Sequence, residues 1–418
     1  MRKGPGIGRL RILVLGYIAR FPLGGMFWHY AQYALGLHEL GHDVWLFEDS
    51  DDYPCCYDPT THQTGVDPEF GLGFLARSLD PLGLGDRWAY FDAHGKRWHG
   101  PAADRRRGLF ETADVVINIS GANPLRPWLA EVPHRVYVDT DPIFEQIRQV
   151  TVPERRGRAD AHNHFFTFGQ GVAAGTAEAP DDGRPWRATR QPVVLSLWPV
   201  VPGDRSGPFT TVMQWESYRA REFDGRRYGM KSESFREYMS LPRSLPGVRL
   251  QLALGSPRAP RRLLEQHGWE IADPLEVTRD PTSYQAYICG SAAELSVAKH
   301  GYVAGRSGWF SERSAAYLAS GRPVLSQSTG FSAWLECGSG LVPFDGLESA
   351  VEGAERILSD YGHHCAAARD LAETYFDSAA VLSELLEQVS ASGRDDARDV
   401  REPRAHEDLA KFTAEGKA

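Results

Sequence analysis

The sequence predicts an α/β protein built as two units whose parallel sheets face each other across a crevice. Two stretches, starting at Arg9 and Pro192, read as an apolar strand entering a loop and then a longer patterned segment. The apolar runs end in glycine or polar residues, and such strand ends are where α/β sheets place ligands. Glycine (42) and proline (27) are abundant among 418 residues, which calls for many tight turns rather than a helical bundle.

The elements follow in order. "RLRILVLG" (9–16) reads as a buried strand, and a glycine-rich loop runs from Gly16 to Gly25. Phe27, Tyr30, Tyr33, Ala34, Leu37 and Leu40 then recur at helical spacing up to Gly41, a helix stop. "DVWLFED" (43–49) completes a βαβ unit. Residues 50–108 read as an irregular insertion, after which 113–121 and 134–142 resume the strand pattern. The weakly patterned 175–191 marks a boundary, placing an acceptor-side domain at 1–180 and a ligand-holding domain at 181–390. In the second domain, 192–199, 249–255, 269–274 and 286–291 read as strands. A helix over 311–321 carries Ser311 as a cap and Gly321 as a stop, followed by a strand and loop over 322–331. Late helices are expected over 348–361 and 379–389, and 391–418 reads as a charged, flexible tail.

Composition excludes several classes of function. With 42% hydrophobic and 24% charged residues the chain can bury a core. A formal net charge of -9 argues against wrapping a nucleic-acid polymer. Five cysteines, with no CxxC pair, supply neither a disulfide framework nor a structural zinc site. The apolar run Ile12–Leu15 is too short for a signal peptide or a membrane span, so no integral membrane segment and a cytoplasmic location are expected.

The sharpest local unit is "YVAGRSGWFSERSAAYLASGRPVL" (302–325). A loop with Gly305 and Gly308 enters a helix, so amides from Ser307 to Ser311 could converge on one anion at the helix start. Arg306 could close on a phosphate with its planar fork, and Glu312 could accept from ribose hydroxyls. An ordinary capped helix explains the same pattern. The first loop spells neither GxGxxG nor a P-loop, although Gly24-Gly25 would let a phosphate approach the backbone closely or simply form a tight turn.

Taken together, "GGMFWHYAQYALGLHELGHDVWLFED" (24–49) and "SGWFSERSAAYLASGRPVLSQSTGF" (307–331) resemble the GT-B glycosyltransferases. That resemblance implies two Rossmann-like domains facing across a cleft. It implies a nucleotide-diphospho-sugar held by the C-terminal domain as co-substrate, with no tightly bound cofactor. The acceptor would be a small molecule, a glycan or another hydroxyl-bearing compound. Retaining members often carry two glutamates eight positions apart, the second five residues before the "G-P-V" glycine. That second position here is Ala316, with Glu312 one turn earlier. A sugar-nucleotide epimerase and an inactive nucleotide-sugar-binding protein share this architecture and stay open.

Other residues fill roles in that picture. Lys231, in a loop loosened by Gly229, and then Lys299 are the basic candidates for a diphosphate. Asp139 and Asp141 in "VDTDP" could take a proton from an acceptor hydroxyl, or serve only as turn residues. His164 ranks slightly ahead of them as base, since histidine titrates near neutrality. His162 and His164 lack a third ligand, so no metal is expected. His29, one turn into the first helix, could face the cleft or lie on the surface.

Overall fold

A computed structural model describes residues 8–399. In chain order the first half contributes β1 (Arg11–Leu15), β2 (Asp43–Asp49), β3 (Cys56–Asp58), β4 (Gln63–Gly65), β5 (Trp88–Asp92) and β6 (Arg97–His99). It continues with β7 (Val115–Ile119), β8 (His134–Asp139), β9 (His164–Thr167) and β10 (Arg187–Ala188). All except the β3–β4 hairpin form one sheet in the order β10-β9-β8-β7-β1-β2-β5-β6, parallel apart from the edge pair β5–β6. The second half contributes β11 (Phe209–Gln214), β12 (Arg221–Phe223), β13 (Arg226–Tyr228), β14 (Leu250–Gly255) and β15 (Glu270–Ala272). Then come β16 (Ala293–Ser296), β17 (Val324–Gln327) and β18 (Leu341–Phe344). Its parallel sheet runs β15-β14-β11-β16-β17-β18, with β12–β13 a separate hairpin. The expected α/β class with two Rossmann-like sheets facing across a cleft is what forms.

The strand orders place the site. In the first sheet the chain leaves β1 toward β2, then returns to β7 on the other side of β1. In the second it leaves β11 toward β14, then returns to β16. Each reversal parts two loops at the carboxyl ends of the strands and opens a crevice there. In the first sheet β1 and β7 are almost entirely apolar because both faces are covered, whereas β11 and β16 of the second bury Thr210, Thr211, Glu294 and Ser296.

The first helix, Gly24–Glu39, is buried on almost every side. It packs against the helix Ser378–Asp399 and against Pro281–Cys289, so it belongs to the first half in sequence and to both in packing. At Gly24 an added Cβ would lie 2.3 Å from the Asp280 carbonyl oxygen, so that glycine is demanded by the helix contact. The helix Ser378–Asp399 continues through the segment expected to be a tail from residue 391; 400–418 lie outside the described residues.

Several expected elements differ. Residues 192–199 form no strand. Val193 amide donates to the Phe376 carbonyl (2.7 Å), and Gln32 Oε1 accepts from Val194 N (2.8 Å) and Trp198 Nε1 (3.2 Å). Their apolar side chains are spent on the crossing between halves, and the second sheet begins at Phe209. Residues 286–289 close a helix whose N-cap Asp280 accepts from Ser283 N (2.7 Å), and the strand follows at Ala293. The insertion 50–108 holds a hairpin, a helix over Glu69–Leu79 and β5, which extends the first sheet beside β2. The first sheet's last strand, at Arg187–Ala188, lies past residue 180.

Candidate active site

A cleft of about 1570 Å3 opens between the two sheets and is lined from both. Its first-half wall begins with the loop after β1. Glu48, at the end of β2, accepts from three consecutive amides of that loop, Ile18 (2.7 Å), Ala19 (2.9 Å) and Arg20 (2.7 Å). The backbone nest that could have cradled a phosphate is thus filled by the chain's own carboxylate. Gly25, at the uncapped start of the helix Gly24–Glu39, does reach the cleft.

One turn further along that helix, His29 lines the cleft while 8% exposed. Its Nδ1 lies 2.7 Å from Gln191 Oε1. The Gln191 amide nitrogen donates to the carbonyls of His29 (3.2 Å) and Pro192 (3.0 Å), which fixes its oxygen toward the ring. An amide oxygen only accepts, so Nδ1 carries the proton and Nε2 keeps its lone pair. Burial lowers the imidazole pKa, against the opposing pull of the Glu312 charge and the Gln191 hydrogen bond, so the ring is neutral at pH 7. This is the arrangement of a general base.

The second-half wall supplies Lys231 and Glu312, both on the cleft. Lys231 is 9% exposed, and its ammonium makes no hydrogen bond or ion pair among the described residues. Burial, helped by the nearby Arg313 charge, brings its pKa down to about 7. Ser311 caps the helix Glu312–Ala319 by accepting from Arg313 N (3.2 Å), as expected. For Glu312, burial opposes ionisation, but positive charge from His29 when protonated, from Arg313 and from Lys231 outweighs it and lowers the pKa. Arg313, at the edge of the cleft lining, is pinned by the wholly buried Glu294, the Val212 carbonyl and Ser296 Oγ.

Asp141 and Lys299 meet across the cleft floor. Asp141 Oδ1 accepts from Lys299 Nζ (2.7 Å) and the Tyr302 hydroxyl, and Oδ2 from Arg148 (2.7 Å) and the Tyr218 hydroxyl. Burial works against this carboxylate, yet Lys299 and Arg148 hold it well below the usual carboxylate range. With four donors on two oxygens it joins the halves and is ill suited to take a proton. Asp141→Asn should cost about 1–3 kcal/mol of stability. The native carboxylate's contribution is fully present above the ordinary aspartate pKa and is lost as pH falls through the depressed value. Thermal melts of both proteins at pH 7 and pH 3 check this: the two should differ at pH 7 and converge toward acid.

The remaining expected residues lie off the cleft. His164 opens β9 at the amino end of the strand, the opposite edge of the sheet, where Nε2 faces His134 Nδ1 at 3.0 Å. Asp139 sits beneath Asp141, accepting from Asp141 N, Gln146 and Thr167. Burial, then the Glu145 charge, pushes its carboxyl up to about 7, but it does not line the cleft. Arg306 is exposed, with φ of 48°. The amides of Ser307 and Gly308 donate to the carbonyls of Tyr302 (3.1 Å) and Thr329 (2.8 Å), and the Ser307 carbonyl accepts from Gly171 N (2.9 Å). Of the amides expected to form an anion cradle over 307–311, those of Ser307 and Gly308 are therefore spent within the second half, while the Ser307 carbonyl ties this loop to the first. His162 is likewise engaged, with Nε2 toward Asn118 (3.1 Å) and Nδ1 toward the Arg158 carbonyl (3.1 Å).

No protein-family model and no curated protein matches the chain. Solved structures do match. Sucrose-phosphate synthase from Thermosynechococcus elongatus superposes with a TM-score of 0.54 at 11% identity, over 92% of this chain and 100% of that one. HepE of Anabaena, in complex with UDP-glucose, gives 0.55 at 12% over 92% and 100%. An alpha-glucosyltransferase in complex with UDP and a 13-mer DNA gives 0.56 at 10%, again over 92% and 100%. At this identity the likeness is one of fold, and the fold is GT-B.

Proposed function

We propose that the chain transfers a sugar from a nucleotide-diphospho-sugar to an acceptor hydroxyl, with the donor as co-substrate and no tightly bound cofactor. The observation that carries this reading is one cleft with complementary walls. A neutral histidine with a free ring nitrogen lies on the first wall, and an unpaired buried lysine with a helix-start glutamate lies on the second. The acceptor oxygen would bond to the sugar's anomeric carbon while its proton passes to His29 Nε2. The bond from that carbon to the diphosphate oxygen breaks, and its electron pair leaves with the nucleoside diphosphate. Lys231 stabilises the growing charge electrostatically, together with the start of the helix Glu312–Ala319. Glu312 would accept from donor hydroxyls. The apolar shelf of Ile271, Ala272, Pro274 and Leu275, at the end of β15 and just past it, suits a nucleotide base.

UDP and UDP-glucose are the first donors to try, because neighbours of this fold hold them. In a thermal-shift screen of nucleotide sugars, at least one nucleoside diphosphate should raise the melting temperature. The same nucleotide sugar should then be consumed in an acceptor-dependent assay. A chain that responds to no nucleoside diphosphate is not this enzyme. Epimerised donor without transfer would instead mark an epimerase, and binding without turnover an inactive relative.

A further inference from the structure

The two walls of the cleft differ in chemistry. The second-half lining carries arginines and lysines, among them Arg219, Arg227, Lys231, Arg258, Arg261 and Arg313. Among the described residues, the first-half lining contains no lysine or arginine. Its members include Phe21, Leu23, Met26, Tyr30 and Tyr57. The Phe21 and Tyr57 rings stack at 4.9 Å and 22°. Tyr17 extends the aromatic row, 6.3 Å from Phe21 and 6.5 Å from Tyr30.

The charged groups near this wall are engaged. Arg20 is fully buried behind it, paired with Glu48, bonded to the Ala122 carbonyl (2.9 Å) and stacked over Tyr17 at 4.3 Å. It stiffens the wall without presenting a charge to the cleft. Asp141 is saturated by its four donors. Besides His29, Asp141 and, at its exposed rim, His62, the wall's polar groups include a short chain of neutral hydroxyls. Tyr30 donates to Ser120 Oγ (3.2 Å), and Ser120 Oγ lies 2.6 Å from Thr140 Oγ1. Burial pushes the Tyr30 phenol up to about 12, so it stays protonated.

Resting on the glycosyl-transfer reading, we propose that the acceptor is an uncharged, planar, largely apolar molecule bearing a hydroxyl, of the aromatic-aglycone class. It lies on the Phe21–Tyr57–Met26 wall with its hydroxyl toward His29. A sugar phosphate or a nucleic acid needs cations to replace its counter-ions, and this wall presents none. A glycan needs many fixed donors and acceptors around its hydroxyls, and beside its apolar and aromatic surface this wall offers one short hydroxyl chain, His29 and, at the rim, His62 and the Tyr57 hydroxyl. A flat apolar ring finds what it requires, aromatic and thioether surface removed from water. The acceptor hydroxyl gives its proton to His29 Nε2, its oxygen bonds the anomeric carbon, and the departing diphosphate keeps the electron pair of the broken bond.

The test uses 2-naphthol, maltose, glucose 6-phosphate and a short DNA duplex as probes. Binding to the full chain is measured directly by fluorescence and calorimetry, separately from UDP binding, and then transfer is assayed. We expect 2-naphthol to bind and to become glycosylated in preference to the other three. Met26→Lys and Tyr57→Ser should each weaken 2-naphthol binding roughly tenfold while UDP affinity is unchanged. Two variants guard against misfolding of either. Nucleotide binding together with preferential use of maltose, glucose 6-phosphate or DNA overturns the proposal, as does 2-naphthol binding that neither variant weakens. If 2-naphthol binds at this wall but no nucleoside diphosphate binds at all, the acceptor seat stands and the donor reading is what fails.

Discussion

His29→Asn should lower kcat by about 10^2- to 10^4-fold, the range supplied by a positioned general base, while UDP affinity stays within about twofold. The substitution keeps a polar side chain of similar reach and removes the basic nitrogen. Because burial lowers the imidazole pKa from 6.5, the base form prevails at neutral pH. The histidine's contribution to activity should therefore be level through pH 7 and fall as pH drops below 6.5, through the folded-state value. The variant should lose that acid limb along with the rate. Gln191→Leu should produce a smaller loss, because it removes the carbonyl-anchored amide that selects the tautomer without removing the base. Rate–pH profiles of the three proteins decide the matter. A folded His29→Asn protein with near-native kcat would remove histidine from the chemistry.

Lys231→Met should have the second largest effect, in opposite directions on binding and stability. A charge-assisted contact to a diphosphate contributes about 1.5–3 kcal/mol, so UDP affinity should fall roughly 10- to 150-fold. The ligand-free variant should nevertheless melt higher. In the folded protein the lysine is 9% exposed and its ammonium, at the cleft, has no hydrogen-bonded partner among the described residues; its pKa falls from 10.5 to about 7. Between pH 7 and 10.5 the unfolded chain binds more protons than the folded one, so native stability rises with pH across that window and is level below it. The penalty is fully present below pH 7, which is where methionine should stabilise most. Binding has the converse dependence. A diphosphate requires the charged lysine, so above pH 7 the native protein must take up a proton on binding, and its affinity should decline. Calorimetry in buffers of different ionisation enthalpy measures that proton directly. Equal UDP affinity in native and variant proteins would displace the diphosphate from this wall.

The candidate site was legible in part. Lys231 could be ranked because Gly229 frees its loop, and Glu312 because an acid beside Ser311 marks a helix start. Both line the cleft. Intrinsic acidity ranks His164 first as base, but its place at the amino end of β9 puts it at the wrong edge of a parallel sheet. Strand direction relative to the cleft was the missing information. It could have been inferred from "HFFTFG", where the polar end preceding Gly169, and not the entry histidine, faces the ligand edge. Arg306 had no such signal. Whether a glycine loop offers its amides to a ligand or to its own chain depends here on where the Tyr302 and Thr329 carbonyls fall.

What the sequence determined by itself was local: apolar runs long enough to be buried strands, helical spacing from Phe27 to Leu37, the Ser311 cap, and hence an α/β chain of two sheets. These properties rest on near-neighbour geometry and on which side chains water rejects, and both can be read from spacing. The tertiary structure decided everything that needed two distant segments at once. The segment 192–199 has strand-like composition, yet its backbone bonds to Gln32 and to the Phe376 carbonyl as the crossing between halves. Asp141 looks like a free carboxylate beside a turn until Lys299, Tyr302, Tyr218 and Arg148 converge on it. His29 is an ordinary helical histidine until Gln191, held by two carbonyls, sets its tautomer. A carboxylate's basicity and an imidazole's protonated nitrogen are set by the field and the donors around them, and those partners come from segments far apart in the chain.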